Sequence, residues 1–429
     1  MIVFPLTWLG SAVRATGVWI ALVVGGLLVV TTSGIEWWGS WKVALDWGTA
    51  STALIGPLSS GFTALTYARM TRQGFEVTAS ATARGSVGWL LPWAGAFILA
   101  ATAVCTVVAV TTLVSQLNGA LAFVRLYWVV LQAVCVLACQ TALGAFIGTR
   151  QSPSLAAPLA AVVSFGLGVL SVSGLIPGVF KTGGVTGPMV AESFDGGVLV
   201  QQSLVCLACT VALLVLASHP LATARHEGAP TLVVALVVAV VVVSNLGWTG
   251  YSRYVTTAPT LQDFVCAGSG PELCLARETS RTIRPMHAEF RRQARALTAL
   301  GLRLPATFRQ ETPVPLAASA DDGVVIYSGP QALGSRVDKY LVSYSLATPR
   351  RCPEFSSRNV SPGALDAHQL LARWIAVEAG VLTAPSGASD GEWLALPLSD
   401  QQEWVTETYR SLMSCSLDSL ELPDLKRVS

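Results

Sequence analysis

Cys206-Leu207-Ala208-Cys209 has the C-x-x-C spacing of thiol oxidoreductases, in which one thiolate attacks and its neighbour resolves the mixed disulfide. Its surroundings oppose that chemistry. Membrane quinone-linked oxidases keep such a pair near a water-facing helix end, whereas this one lies well inside a run of Leu, Val and Ala. Two small packing residues at a helix interface account for it better, and Cys135 and Cys139, one helical turn apart, read the same way. His287-Ala288-Glu289 and Asp366-Ala367-His368 offer metal-ligand types. A zinc peptidase helix needs H-E-x-x-H, with both imidazoles on one face, and no second histidine follows at that place. These residues read as polar faces of surface helices, so no metal and no cofactor are expected. A serine or thiol hydrolase is not expected either, because the cysteines near the C-terminus are better used as disulfides. No G-x-x-x-x-G-K-[ST] occurs, so the chain carries no P-loop of its own.

The elements that hold these residues fall into two solvents. The 429 residues are 52% hydrophobic and 12% charged, far below the charge of an average soluble protein. Residues 1–250 carry 15 charged side chains and residues 251–429 carry 37. Lipid suits the first part and water the second. A net charge of +2 without a basic aromatic patch gives no reason to expect nucleic acid. The opening MIVFPLTWLGSAVRATG lacks a basic leader followed by a cleavage site and is expected to be retained.

A membrane-crossing helix takes about 20 apolar residues. Seven stretches qualify: 15–34, 49–68, 88–114, 121–148, 155–176, 197–217 and 230–249. The second, rich in Thr, Ser and Gly, suits a helix buried against other helices, where small side chains permit close backbone approach. Gly144 and Gly148 form a similar small-xxx-small pair. Arg125 lies near the edge of the fourth stretch, where it can snorkel, and no Asp, Glu or Lys lies inside the stretches, which argues against an ion-coupled carrier.

Short cytoplasmic loops collect Arg and Lys. Arg14 precedes the first stretch; the first loop (Glu36, Lys42, Asp46) is net negative. The second (Arg69, Arg72, Arg84 against Glu76) is net positive. Arg150 marks the fourth loop, Lys181, Glu192 and Asp195 the fifth, and Arg225 the sixth. One alternation fits them all, with the N-terminus inside and residue 251 onward outside. The cysteines point the same way. Cys105, Cys135, Cys139, Cys206 and Cys209 lie inside the stretches, whereas Cys266, Cys274, Cys352 and Cys415 all follow the last one. An even number in an extracytoplasmic domain implies two disulfides. Neighbour pairing, Cys266 with Cys274 and Cys352 with Cys415, is one of three connectivities.

The C-terminal part reads as an α+β domain. Residues 281–302 form an amphipathic helix with Phe290, Ala294, Leu297 and Leu300 on its apolar face. GVVIYSG and KYLVSYSL look like strands. Leu365 to Val381 is a second helix with Gly380 as its stop, and QQEWVTETYRSLMSC is a third. The expected architecture is a six-span membrane domain (1–229), a seventh span (230–250) and an extracytoplasmic α+β domain (251–429).

The inner loop ARMTRQGFEVTASATARGSVGW joins Arg69, Arg72 and Arg84 to an amphipathic stretch bearing Phe75, Glu76 and Val77. It reads equally as topology, as a lipid-facing segment, or as a short helix that touches a cytosolic partner. Six spans, an inner N-terminus, this loop and the absent nucleotide site resemble the permease subunits of ABC-2 type transporters. More narrowly, CAGSGPELC, the helix ending GLRLP, and Trp374 to Gly380 resemble permeases of high-GC Gram-positive bacteria that add a seventh span and an outer domain. The resemblance implies two permease chains, alike or related, around a path and two cytosolic ATPases that drive it. It makes Arg69, Arg72, Phe75, Glu76 and Arg84 the ATPase-coupling loop, and it makes the outer domain a receiver of cargo or of an extracellular partner. Such proteins are mostly exporters in the cell membrane. The alternatives are a sensor without transport and a membrane thiol oxidoreductase using Cys206 and Cys209. A G-protein-coupled receptor would need the opposite orientation.

Overall fold

The computed structural model describes residues 3–32, 40–74, 85–117, 128–173, 175, 178–184, 189, 191–218, 253–256, 259–312, 322–325, 338–348, 350, 352, 362–383, 393–417 and 420–423. Within these, the N-terminal part is a helical bundle: α1 (Val3–Thr32), α2 (Trp41–Ala50), α3 (Thr52–Arg72), α4 (Gly85–Leu117), α5 (Trp128–Arg150), α6 (Pro153–Val172) and α7 (Gly196–Ser218). Four of them, α4 to α7, are long and apolar enough to cross a membrane. Their exposed faces are as oily as their cores: Ile98 and Leu113 on α4, Val162 and Phe165 on α6, and Leu204 and Val211 on α7 all face outward. That pattern belongs to a protein solvated by hydrocarbon.

The polar helix α3 is buried in the middle, packed on α5 and α6. Its Thr52, Ser59, Ser60 and Thr63 face protein. Thr63 Oγ1 donates to the Ser59 carbonyl at 2.7 Å and Ser59 Oγ to that of Gly56 at 2.8 Å, so these hydroxyls bond their own helix and ask nothing of lipid. The close approach is made by the expected glycine pair. A Cβ on Gly144 would overlap the Ser60 carbonyl, and one on Gly148 would overlap that of Ala64. Ser60 and Ala64 thus meet Gly144 and Gly148 in the same order, which makes α3 and α5 parallel. Arg72 and Arg150 therefore end at one end of the bundle. Ala217, clustered with Tyr67 and Ala145, ends there too.

Boundaries differ from the sequence expectation in places. Residues 49–50 close the separate short helix α2, the helix expected over 49–68 runs instead over 52–72 and is not among the four long apolar ones, and α1 reaches back to residue 3. The expected seventh span, 230–249, and Arg125 lie outside the described residues.

The C-terminal domain holds a four-stranded mixed sheet, ordered β3 (Phe264–Ala267), β4 (Glu272–Ala276), β5 (Thr307–Gln310) and β6 (Asp322–Val325), with the first pair antiparallel and the others parallel. A small antiparallel ribbon, β1 (Glu192–Phe194) with β2 (Tyr254–Thr256), joins this part to the bundle. Helix α8 (Ile283–Ala299) lays Phe290, Ala294 and Leu297 on the sheet, with Phe290 edge-on to Phe308 at 4.7 Å. Helices α9 (Lys339–Leu346), α10 (Pro362–Glu378) and α11 (Leu398–Ser414) complete the core. Gly380 ends the α10 region at φ +65°, a conformation glycine adopts without cost. Trp374, buried on α10, donates to Gln401 Oε1 at 2.6 Å, and Gln401 donates to two carbonyls, so a polar group inside the core is satisfied.

KYLVSYSL is α9, a helix and not a strand. The Asp338 side chain accepts from the amides of Tyr340 and Leu341, which nucleates the turn, and Val342 and Leu346 then share a buried face. Of GVVIYSG, Gly323 to Val325 is strand as expected, and the rest lies outside the described residues.

Both neighbour disulfides are formed: Cys266–Cys274 between directly opposed residues of β3 and β4, and Cys352–Cys415, which ties the segment after α9 to the end of α11. Their loops span 8 and 63 residues, worth about 2.5 and about 4 kcal/mol on chain entropy. Replacing Cys352 and Cys415 together with Ser is expected to destabilise the domain more than replacing Cys266 and Cys274. Urea unfolding of the purified full-length chain, followed by hydrogen exchange in α10, measures the order.

Candidate functional site

At the end of the bundle opposite Arg72 and Arg150, residues 178–184 enter the space between the helices. Irregular backbone at such a place has to be satisfied by side chains. Gln202 Nε2 donates to the Gly178 carbonyl at 2.5 Å, Gln132 Nε2 to Lys181 at 3.4 Å, and Thr49 Oγ1 to Thr182 at 2.6 Å. The Thr52 and Thr182 hydroxyls pair with each other. A Cβ on Gly183 would overlap the Asp46 carbonyl, and Gly184 has φ +91°, so this plug needs glycine at both positions.

Above the plug lies a buried charge cluster. Asp46, fully buried on α2, accepts from the Gly184 amide at 2.8 Å and from Tyr254 Oη at 3.0 Å. Arg253, 2% exposed, places Nη1 3.7 Å from the same carboxylate and its guanidinium over the Phe194 ring at 5.7 Å. Lys42 donates to Glu278 Oε1 at 2.6 Å and to the Glu192 carbonyl at 2.8 Å. Burial pushes the Glu192 carboxyl above its ordinary value, Lys42 opposes that shift, and Asp46 adds to it. Lys42 and Asp46, counted in sequence as charges of an exposed loop, are thus buried ties between the bundle and the C-terminal domain. Their i,i+4 spacing on an otherwise apolar helix was the available signal.

Below the plug is a cavity of about 420 Å³ bounded by α1, α2, α3, α5, α6 and the plug itself. Val29, Trp47, Phe165, Val169 and Phe180 make it apolar, and Phe165, Val169 and Val172 are outwardly exposed at its edge. Gln140 and Ser164, 5% and 0% exposed, line it, and the Gln140 Oε1 and Ser164 Oγ atoms have no hydrogen-bond partner. Size, apolar walls and a few polar groups describe a binding site. Among the described residues no nucleophile–base pair faces it. A larger depression of about 800 Å³ runs along the polar face of α11 past Glu403, Glu407 and Arg410 and is open to solvent.

The other sequence candidates fall elsewhere. Arg69 and Arg72 are exposed in the last turn of α3. Phe75, Glu76 and Arg84 lie outside the described residues. Cys206 and Cys209 face Cys135 and Cys139 across α5 and α7 beneath Val179, and Cys139 and Cys209 share a hydrogen bond; all four are free thiols. His287 lies against Gly268, while Glu289 is held by Arg292 and Gln293, so the two do not converge. Cys266, Glu272 and Cys274 come together, but both sulfurs are spent in the disulfide. Setting aside a serine hydrolase overlooked GASDG, Gly387 to Gly391, a literal G-x-S-x-G. It lies outside the described residues, and the nearest described element before it is α10, whereas a nucleophile elbow follows a strand. Comparison with known protein families, curated proteins and solved structures returns no match.

Two outcomes are expected. Asp46→Ala strands the Arg253 charge in the interior, a loss of about 3–5 kcal/mol, and should lower the thermal midpoint of the detergent-purified chain far more than Glu278→Ala at the partly exposed pair. His368, 1% exposed and bonded to Thr348 at 2.7 Å, is held neutral by burial, its pKa lowered to about 4 from 6.5. The unfolded chain takes up that proton first, so its contribution is full above pH 6.5 and is lost as pH falls toward 4, by about 3 kcal/mol. His368→Gln should flatten that part of a stability–pH curve measured by denaturant unfolding.

Proposed function

We propose that this chain is the membrane permease subunit of an ATP-binding cassette exporter of the ABC-2 type, driven by a separate cytosolic ATPase and paired with a second permease chain. The observation that carries the reading is the plugged cavity. It lies among the membrane helices and is edged by outward-facing apolar side chains, as a path for cargo arriving through lipid requires. A sensor would place its ligand site in the C-terminal domain, where the depression on α11 is open to solvent. An oxidoreductase would need Cys206 and Cys209 near water, and they face other thiols among aliphatic side chains.

In this reading the plug and the C-terminal domain face the cell exterior, and Arg69, Arg72 and Arg150 face the cytosol. The described ends support a seventh crossing. Ala217 packs beside Tyr67 at the arginine end, whereas Arg253 reaches Asp46 at the other. The loop that begins at Arg69 and Arg72 and continues through Phe75, Glu76 and Arg84 then meets the ATPase.

A nucleotide-hydrolysing protein is expected to co-purify with the full-length chain from nanodiscs prepared from native membranes. Arg69→Glu with Arg72→Glu should reduce its recovery at least tenfold while leaving the permease folded by disulfide content and thermal midpoint. Recovery of no ATPase, with the wild-type chain intact, would overturn the assignment.

A further inference from the structure

We propose that Cys139 and Cys209 form a two-coordinate binding site for a thiophilic monovalent cation, Cu(I) or Ag(I), between α5 and α7. The inference stands apart from the transport reading, and its test needs neither cargo nor ATPase.

Four free thiols meet in the bundle. Cys135 and Cys139 lie one turn apart on α5, and Cys206 and Cys209 lie one turn apart on α7. A helix brings residues three or four apart to one face, so both pairs look across the same interface. There they form one cluster with Val136, Val179 and Val205. All but Cys209, which is half-buried, are buried, and Cys139 and Cys209 share a hydrogen bond. Packing asks only for small apolar side chains here, and Ala138 and Ala142 on α5 with Ala208 and Ala212 on α7 show that alanine meets that need on both helices. What cysteine adds is a soft ligand atom, which selects soft cations over hard ones.

The arrangement selects the cation further. Structural zinc takes four ligands in a tetrahedron with zinc–sulfur bonds of about 2.3 Å, which sets the sulfurs about 3.8 Å apart. Among the described residues the one trio of ligand atoms within 4.8 Å of one another is Cys266, Glu272 and Cys274, so the bundle thiols close no zinc site. They offer a facing pair instead. An S–H···S contact holds its sulfurs nearly as far apart as the ends of a linear sulfur–metal–sulfur unit, about 4.5 Å for bonds of that length. The cation therefore takes the place of the shared proton and needs no cavity. Val136, Val179, Val205 and Leu213 make the surroundings apolar, where an unbalanced charge is costly. A monovalent ion held by one thiolate and one thiol is neutral. On binding, one S–H bond breaks and one sulfur–metal bond forms, the second sulfur gives a lone pair, the proton leaves to solvent, and no electron moves. Half-buried Cys209 is the point of entry.

The test titrates the full-length chain in zwitterionic nanodiscs with Cu(I), kept reduced by ascorbate without oxygen and presented on the chromophoric chelator bicinchoninate. The expected result is one Cu(I) withdrawn per chain, with a copper X-ray absorption spectrum fitted by two sulfur ligands. Cys139→Ser with Cys209→Ser should weaken the uptake at least tenfold, with fold checked by disulfide content and thermal midpoint. Cys105→Ser on α4 and Cys135→Ser should leave it unchanged. The absorption spectrum of the wild-type chain decides the ligand set even where the double variant fails to fold. No uptake by the wild-type chain, full uptake by the folded double variant, or a spectrum fitted by three sulfurs or by nitrogen and oxygen would each overturn the pair. Equal uptake of Zn(II) would overturn the monovalent class.

Discussion

One carboxylate organises the mouth of this bundle. Asp46 is fully buried, and a charge in that position persists only if it is paired and hydrogen-bonded. Its partners come from three distant parts of the chain: Gly184 from the plug, Tyr254 from β2 and Arg253 from the start of the C-terminal domain. The plug therefore cannot leave, and the β1–β2 ribbon cannot shift, without exposing or orphaning a charge. Lys42, one turn earlier on α2, extends the same constraint to Glu278 at the edge of the domain core. Because both ties run through one short helix, displacement of α2 would be felt at once by the plug and by the domain.

The bundle below follows a different rule. With hydrocarbon outside, helices gain little by hiding apolar surface from one another, and close packing and internal hydrogen bonds take over. Helix α3 shows both: Gly144 and Gly148 admit its backbone, and its Ser and Thr side chains bond its own carbonyls. Several buried polar atoms of the bundle are nevertheless without a partner, among them Ser115 Oγ, Gln132 Oε1, Gln140 Oε1, Ser164 Oγ and Gln202 Oε1.

Much of the fold was legible because membranes and disulfides leave simple marks. The apolar runs located most of the described helices to within a few residues, although α1 begins twelve residues earlier than expected; the glycine pair on α5 marked a close-packing face without naming its partner, and the amphipathic patterns of α8, α10 and α11 were plain. KYLVSYSL was misread because its alternating aromatic and aliphatic residues match a strand, while the deciding influence, the Asp338 cap, lies just outside the segment. Lys42 and Asp46 were read as loop charges because a net-charge count cannot tell a solvated pair from a buried one. The cavity left no linear mark at all. Val29, Gln140, Ser164 and Lys181 meet only through packing, and a single Gln or Ser in an apolar run says nothing about whether its partner is missing. The ATPase-coupling residues were proposed from resemblance, and of those only Arg69 and Arg72 have a described place.

The account rests on the plug, the charge cluster and the C-terminal domain sharing the exterior face, with the arginine end in the cytosol. Single cysteines placed at Leu261 in the C-terminal domain and at Arg72 in the full-length chain, each treated in intact cells with a membrane-impermeant maleimide, test this directly. All native cysteines are either paired or within the helices, so the added thiol carries the signal. Labelling at position 261 in intact cells, with labelling at position 72 only after the membrane is opened, is the predicted result. The reverse pattern, or protection of both positions until lysis, would contradict it.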